Sequence, residues 1–273
     1  MNQPVPLATP VATAQADGIG LAILSRTGGR AYNEDACGHW HSDQHLCCVL
    51  ADGAGGHGGG DVAAKLAVVH MIEQFSAAPL RKPGEVRELL QETNGVVISH
   101  RDDAPAQANM HTTVVSLFID FQTDQAVWGH SGDSRLYVFR QGQLRQRTVD
   151  HSLVQSLVDA GMLQPHEVAS HPRRSELLSA LGVEPGDLSI GTSVEPWGVQ
   201  TGDAFLLCSD GLWEYVSDDQ LCASLSEASS PTDWLARLEQ QVLAQAATLH
   251  KSTHDNYSGI AVWIGSPASG AGE

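Results

Sequence analysis

The feature of this chain that most restricts its fold is a set of short apolar runs joined by very tight connections. Runs at 46–51, 113–121, 125–129, 135–140, 204–208 and 259–264 have the length of β-strands. Several are apolar at successive positions, as in Val114, Val115, Leu117 and Phe118, so both faces of those strands need cover. Gln122-Thr123-Asp124 and Gln141-Gly142 leave room only for hairpins, and hairpins impose antiparallel pairing. Helical spacing appears in Val62, Leu66, Val69, Ile72 and Phe75, which ends before Pro79, and in Leu235, Leu238, Val242, Ala246 and Leu249, which starts near Pro231. A further helix is expected over 85–99. Together these elements predict an α+β fold: a β-sandwich of two antiparallel sheets flanked by helices, in four α-β-β-α layers. A doubly wound parallel sheet is the competing arrangement.

The 273 residues suffice for one large domain, and 42% hydrophobic content supplies its core. Residues 1–18, broken by Pro4, Pro6 and Pro10, read as a flexible leader, and 266–273 as a flexible tail. The span 19–265 reads as a single domain. Its formal charge of −17, with no Lys/Arg cluster, argues against nucleic acid and anionic membranes and favours divalent cations as partners. Cys37, Cys47, Cys48, Cys208 and Cys222 are odd in number and mostly embedded in apolar runs, which indicates buried thiols in a reducing compartment. With neither a signal peptide nor an apolar run of spanning length, a cytoplasmic monomer is expected.

Strand runs end repeatedly in carboxylates: 46–51 runs into Asp52-Gly53, 204–209 into Asp210-Gly211, and 127–132 into Asp133, while Asp255-Asn256 precedes the last strand. One Asp-Gly alone is a turn; Asp17-Gly18, with no apolar run before it, serves as the control. Several such ends brought to one edge would repel strongly unless hard divalent cations, Mg²⁺ or Mn²⁺, neutralised them. In Arg30-Ala31-Tyr32-Asn33-Glu34-Asp35, a guanidinium close to carboxylates is suited to a phosphoryl oxyanion.

Arg30-x-x-Asn33-Glu34-Asp35, Asp52-Gly53-Ala54-Gly55-Gly56-His57, Thr112-Thr113, Gly132-Asp133-Ser134-Arg135, Ser209-Asp210-Gly211-Leu212-Trp213 and Asp255-Asn256 resemble, in order, the motif set of the metal-dependent type 2C protein phosphatases, in their bacterial branch. The resemblance covers nearly the whole chain. It implies that Asp52 bridges two metal ions with the Gly53 carbonyl on one of them, that Asp210 and Asp255 serve the first ion, and that Glu34 and Asp35 serve the second. It places Asp133 on a third, weaker ion, Arg30 and Asn256 on the substrate, and 150–182 in a flap beside the site. The implied activity is hydrolysis of phosphoserine and phosphothreonine on proteins by a metal-bridging water, reversing bacterial Ser/Thr kinases.

Departures from the family pattern matter as well. The His that follows Asp-Gly in eukaryotic relatives is Ala54, which leaves the general acid unassigned, and His57 stands further along. The Gly usual before Thr-Thr is His111, and Thr113 is left to contact water or phosphate. Gly53 to Gly58 also match G-x-G-x-x-G, but Asp52 beside a pyrophosphate opposes a dinucleotide site. His39, His41, His45, Cys37 and Cys47 read as the exposed face of a hairpin arm around Trp40 in preference to a zinc site. A pseudophosphatase that binds phosphopeptides without turnover is the non-enzymatic alternative.

Overall fold

The computed structural model describes residues 13–16, 18–54, 59–103, 110–249 and 254–265. Its strands are β1 (Thr13–Ala16), β2 (Ile19–Arg26), β3 (Asp35–His41), β4 (His45–Ala54), β5 (His111–Thr112), β6 (Val114–Asp120), β7 (Gln125–Ser131), β8 (Arg135–Arg140), β9 (Gln143–Arg147), β10 (Gly191–Thr192), β11 (Trp197–Gly198), β12 (Asp203–Cys208) and β13 (Tyr257–Ile264). They form two sheets, ordered β1-β2-β13-β12-β8-β9 and β10-β7-β6-β4-β3, with β5 beside β4 and β11 beside β7. Every pairing is antiparallel. Helices α1 (Gly60–Ala77) and α2 (Pro83–Asp103) cover the second sheet, the short α3 (Leu153–Asp159) and α4 (Asp210–Trp213) follow along the chain, and α5 (Asp218–Glu227) and α6 (Pro231–Thr248) cover the first.

Successive apolar positions find cover as expected, because neighbouring side chains on a strand point to opposite faces. In β4, Cys47, Val49 and Ala51 pack toward α1, while Leu46, Cys48 and Leu50 pack between the sheets. In β2, Ala22 and Leu24 face the α6 side and Leu21 and Ile23 face inward. Three apolar cores therefore fill the three gaps of a four-layer sandwich, and the parallel-sheet alternative is set aside. The tight turn at Gln141 and Gly142 has φ of 52° and 72°, the left-handed pair that a two-residue hairpin needs. Helix α6 begins where Pro231 suggested: Ser230 caps it by accepting from the Asp233 N–H, and proline occupies the first turn.

Several elements carry no strong local signal. Strand β1 lies inside the segment expected to be a leader; Thr13-Ala-Gln-Ala is held by its ladder to β2, an interaction that apolar content cannot report. Gly18, the glycine of the control dipeptide, stands between β1 and β2 at φ 86°. The rest of the leader, 1–12, and the tail, 266–273, lie outside the described residues. The hairpin arm around Trp40 also differs from expectation: Cys37 packs between the sheets, Cys47 faces α1, and His45 is buried, so these groups do not share one exposed face. Among the described residues, no helix is long and apolar enough to cross a membrane.

Candidate active site

Antiparallel order brings the carboxylate-bearing strand ends together. Asp35 opens β3 and pairs with Asp52 near the end of β4. Asp133 lies between β7 and β8, Asp210 follows β12 as the first residue of the short helix α4 (Asp210–Trp213), and Asp255 precedes β13. A cavity of about 260 Å³ is lined by Glu34, Asp52, Gly53, Asp133, Asp210 and Asp255, with Arg30 among its walls. Ser175 and Leu177, from the 150–182 segment, line it too.

The chain backs this cavity with backbone-on-backbone contacts that require glycine. A Cβ on Gly53 would meet the Gly60 carbonyl, one on Gly28 (φ 58°) would meet the Asp255 carbonyl, and one on Gly211 would meet the Asn256 carbonyl. The sequence motifs name Gly53 and Gly211, but Gly28 and Gly60 carry no signal, since their contacts are with distant segments. Ser209 is another unforeseen support: its hydroxyl donates to Asp35 Oδ2 at 3.0 Å and accepts from Ser258 N.

Electrostatically the site is unbalanced. Burial, followed by the charges of Asp35, Asp210, Asp133 and Asp255, holds the Asp52 carboxyl well above the usual range. Burial and then Asp133 and Glu214 do the same to Asp210. Burial lifts Asp35 to about 6, and burial with Asp150 lifts Asp133 to about 7. Glu34 is raised by burial and by Asp61. Glu34 Oε1, Asp35 Oδ1 and Asp210 Oδ1 are buried without a hydrogen-bond partner among the described residues. Unpaired, buried, mutually repelling oxygens are the donor set that a hard divalent cation neutralises. Among the described residues, no three acidic, imidazole or thiol groups close into a preformed cage. The carboxylates stand instead around an open cavity, an arrangement suited to ions that share their shell with water and substrate.

Arg30 is exposed at the rim, and its Nη2 donates to Asp255 Oδ2 at 2.7 Å. Two residues expected to contact ligand are committed elsewhere. Asn256 Oδ1 accepts from Glu34 N while its Nδ2 donates to the carbonyls of Thr27 and Tyr32. That amide shapes the loop carrying Arg30 and Glu34, and no donor is left for a substrate. The Thr113 hydroxyl, on the cavity wall, accepts from Asp52 N and shares a 2.7 Å hydrogen bond with Ser134, so it fixes the Asp52 backbone. Gly53, first of the 53–58 glycines, packs against Gly60 beside Asp52; His57 lies outside the described residues.

A helix-flanked sandwich with a cation-seeking cavity at one end of its strands offers the donor set of a metal-dependent hydrolase. The family model described as Protein phosphatase 2C matches residues 24–252, and the chain belongs to that family. It is 35% identical to the serine/threonine phosphatase stp of Listeria monocytogenes over 198 residues, 70% of this chain and 77% of that protein. The solved serine/threonine phosphatase PstP of Mycobacterium tuberculosis superposes with a TM-score of 0.75 at 29% identity, over 90% of this chain and 99% of that one. A PstP catalytic domain solved with two manganese ions superposes at 0.72 with 27% identity, over 90% and 98%. The chain is accordingly a protein-serine/threonine phosphatase of a metal-dependent class.

Proposed function

We propose that the carboxylate cavity is the catalytic centre, at which two Mg²⁺ or Mn²⁺ ions serve hydrolysis of phosphoserine and phosphothreonine on cytoplasmic proteins, opposing Ser/Thr kinases. The observation that carries this reading is the group of buried, unpartnered oxygens on Glu34, Asp35 and Asp210 around Asp52. Asp52 would serve both ions, with the Gly53 carbonyl, Asp210 and Asp255 holding one and Glu34 and Asp35 the other. Asp133 would hold a third, weaker ion. When bound, such ions act as Lewis acids and lower the pKa of a water, making it a nucleophile at neutral pH.

The chain's own residues supply the rest. Arg30 has five N–H donors and spends one on Asp255, so the remaining fork binds phosphoryl oxygens and offsets charge that shifts among them in the transition state. Thr113 and Asn256 act as positioning residues, the first on Asp52 and the second on the loop of Arg30 and Glu34. The protein acts as a monomer, and its charge of −17 disfavours nucleic acid and anionic membrane as partners.

The test is turnover of p-nitrophenyl phosphate and a phosphothreonine peptide by the purified chain with Mn²⁺, with EDTA, and in Asp52→Asn. Hydrolysis should require the metal and vanish in the variant. Activity that survives chelation would overturn the reading, and metal-dependent phosphopeptide binding without turnover would identify a pseudophosphatase.

A further inference from the structure

Helix α2 covers the second sheet and lines none of the carboxylate cavity, yet it contains a buried polar residue with no part in the site described. Asn94 is 2% exposed in the middle of the helix. Its Oδ1 accepts from Gly182 N at 2.7 Å, and its Nδ2 donates to Val183 O at 3.0 Å. Two turns further along, Arg101 Nη1 donates to Gly182 O at 2.7 Å. Both peptide faces of Gly182 are thus held by α2. Gly182 has φ 97°, and a Cβ there would meet the Met110 carbonyl, so no other residue lets the chain pass so close.

Gly182 is where the 150–182 segment leaves the cavity. Next to it, Leu181 and Thr112 exchange backbone hydrogen bonds of 2.8 and 3.1 Å, and the Thr112 hydroxyl donates to the Asp52 carbonyl at 2.9 Å. The entry of the same segment is tied as well: His151 N donates to Gly132 O, and Leu178 N donates to His151 O. Between these two anchors, Ser175 and Leu177 form a wall of the cavity, and Leu178 is 57% exposed at its edge. Residues 175–178 are thus held on the entry side by pairing with 151–153, through Leu153 N to Glu176 O and the Ser152–Leu177 bridge, and on the exit side through Gly182, where Asn94 sets the anchor.

We propose that Asn94, seconded by Arg101, is a positioning residue that sets the height of the 175–178 wall over the cavity and thereby the affinity for the peptide flanking the phosphorylated residue. The proposal rests on the cavity being the catalytic centre. A polar side chain buried in a helix is costly unless both of its hydrogen-bonding ends are satisfied, and here both are satisfied by the segment. With Leu at this position, similar volume remains but the Gly182 N–H and Val183 carbonyl lose their partners. The exit would then loosen without any carboxylate being touched.

The experiment compares steady-state kinetics of Asn94→Leu and Arg101→Met on a phosphothreonine peptide and on p-nitrophenyl phosphate, which has no flanking residues. Asn94→Leu should raise KM for the peptide at least tenfold, with kcat on that peptide reduced less than threefold. KM for p-nitrophenyl phosphate should move less than threefold. Arg101 stands nearer the surface, so Arg101→Met should fold whatever the fate of the first variant, and should shift the peptide KM about threefold in the same direction. Asn94→Asp keeps the acceptor for Gly182 N and should fall between wild type and Asn94→Leu. Equal losses on both substrates, or no change in peptide KM in either variant, would overturn the proposal. Asp52→Asn, run alongside, separates this failure from failure of the catalytic assignment: if it retains full turnover, the cavity is not the centre.

Discussion

The two ends of the sandwich treat the same residue type in opposite ways. At the end away from the cavity, Asp203 is buried, but Arg140 clamps it with two 2.7 Å hydrogen bonds, and Trp197 Nε1 and Gln200 N also donate to it. Asp120, opposite His45 at the far end of β4, has Arg81 at 2.7 Å. Burial alone would raise its pKa, but the Gln122 N–H and Arg81 reverse the balance and hold it below the usual range. At the cavity end, Asp35, Asp52, Asp133 and Asp210 are all raised, and the only arginine on the cavity wall, among the described residues, is the exposed Arg30. At the far end each buried carboxylate has its cation within the fold. At the cavity end the charge is left for a bound cation or a proton to offset.

Removing charge at the cavity end gives the largest expected effect. Asp52→Asn should reduce turnover by at least about a thousandfold, roughly 4 kcal/mol of transition-state stabilisation, while the chelated protein melts at a higher temperature because repulsion is relieved. A chelated variant that melts lower would mean the carboxylates do not oppose one another. The converse change belongs to the matched end: Arg140→Ala strands Asp203 and should cost about 2–4 kcal/mol in urea unfolding. Calorimetric Mn²⁺ affinity should be unaltered by it.

Arg30→Ala takes away the lone cation at the rim. A fall in kcat/KM of about tenfold to a thousandfold is expected on a phosphothreonine peptide, with Arg30→Lys intermediate because charge survives and the planar fork does not. Wild-type kinetics in both variants would reduce the Arg30–Asp255 contact to a screened surface pair.

The pH dependence separates the ends by sign. Asp35 and Asp133, at about 6 and about 7 against 3.8 for the unconstrained group, bind protons more tightly folded than unfolded. Their contribution to stability is complete below about pH 4 and is lost as pH rises through 6 and 7. Chelated protein should therefore melt roughly 5–10 °C lower at pH 8 than at pH 5, and saturating Mn²⁺ should shrink or invert that trend. A Tm that climbs over this window without metal would contradict it. Smallest of all, Thr113→Val removes the hydroxyl that accepts from Asp52 N and should cost about 1 kcal/mol, with a severalfold drop in kcat and little change in peptide KM.

Much of this was legible in the chain. Apolar runs at successive positions, with the tight turns at 122–124 and 141–142, implied doubly covered antiparallel sheets, because side-chain alternation and hairpin geometry are local. Carboxylates at strand ends identified Asp52, Asp133, Asp210 and Asp255 for the same reason. What local rules could not assign were functions shared between distant segments. Asn256 and Thr113 looked like ligand contacts through the motif resemblance, yet in the tertiary structure their polar atoms bond Glu34, Thr27, Tyr32, Asp52 and Ser134. Gly28, Gly60 and Asn94 gave no signal at all, and Ser209 stood in its motif without a role. The sequence by itself determined which residue types stand at the ends of which strands. Only the folded arrangement decided which of their oxygens have hydrogen-bond partners and which remain for a cation, because a partner is a matter of distance and not of order along the chain.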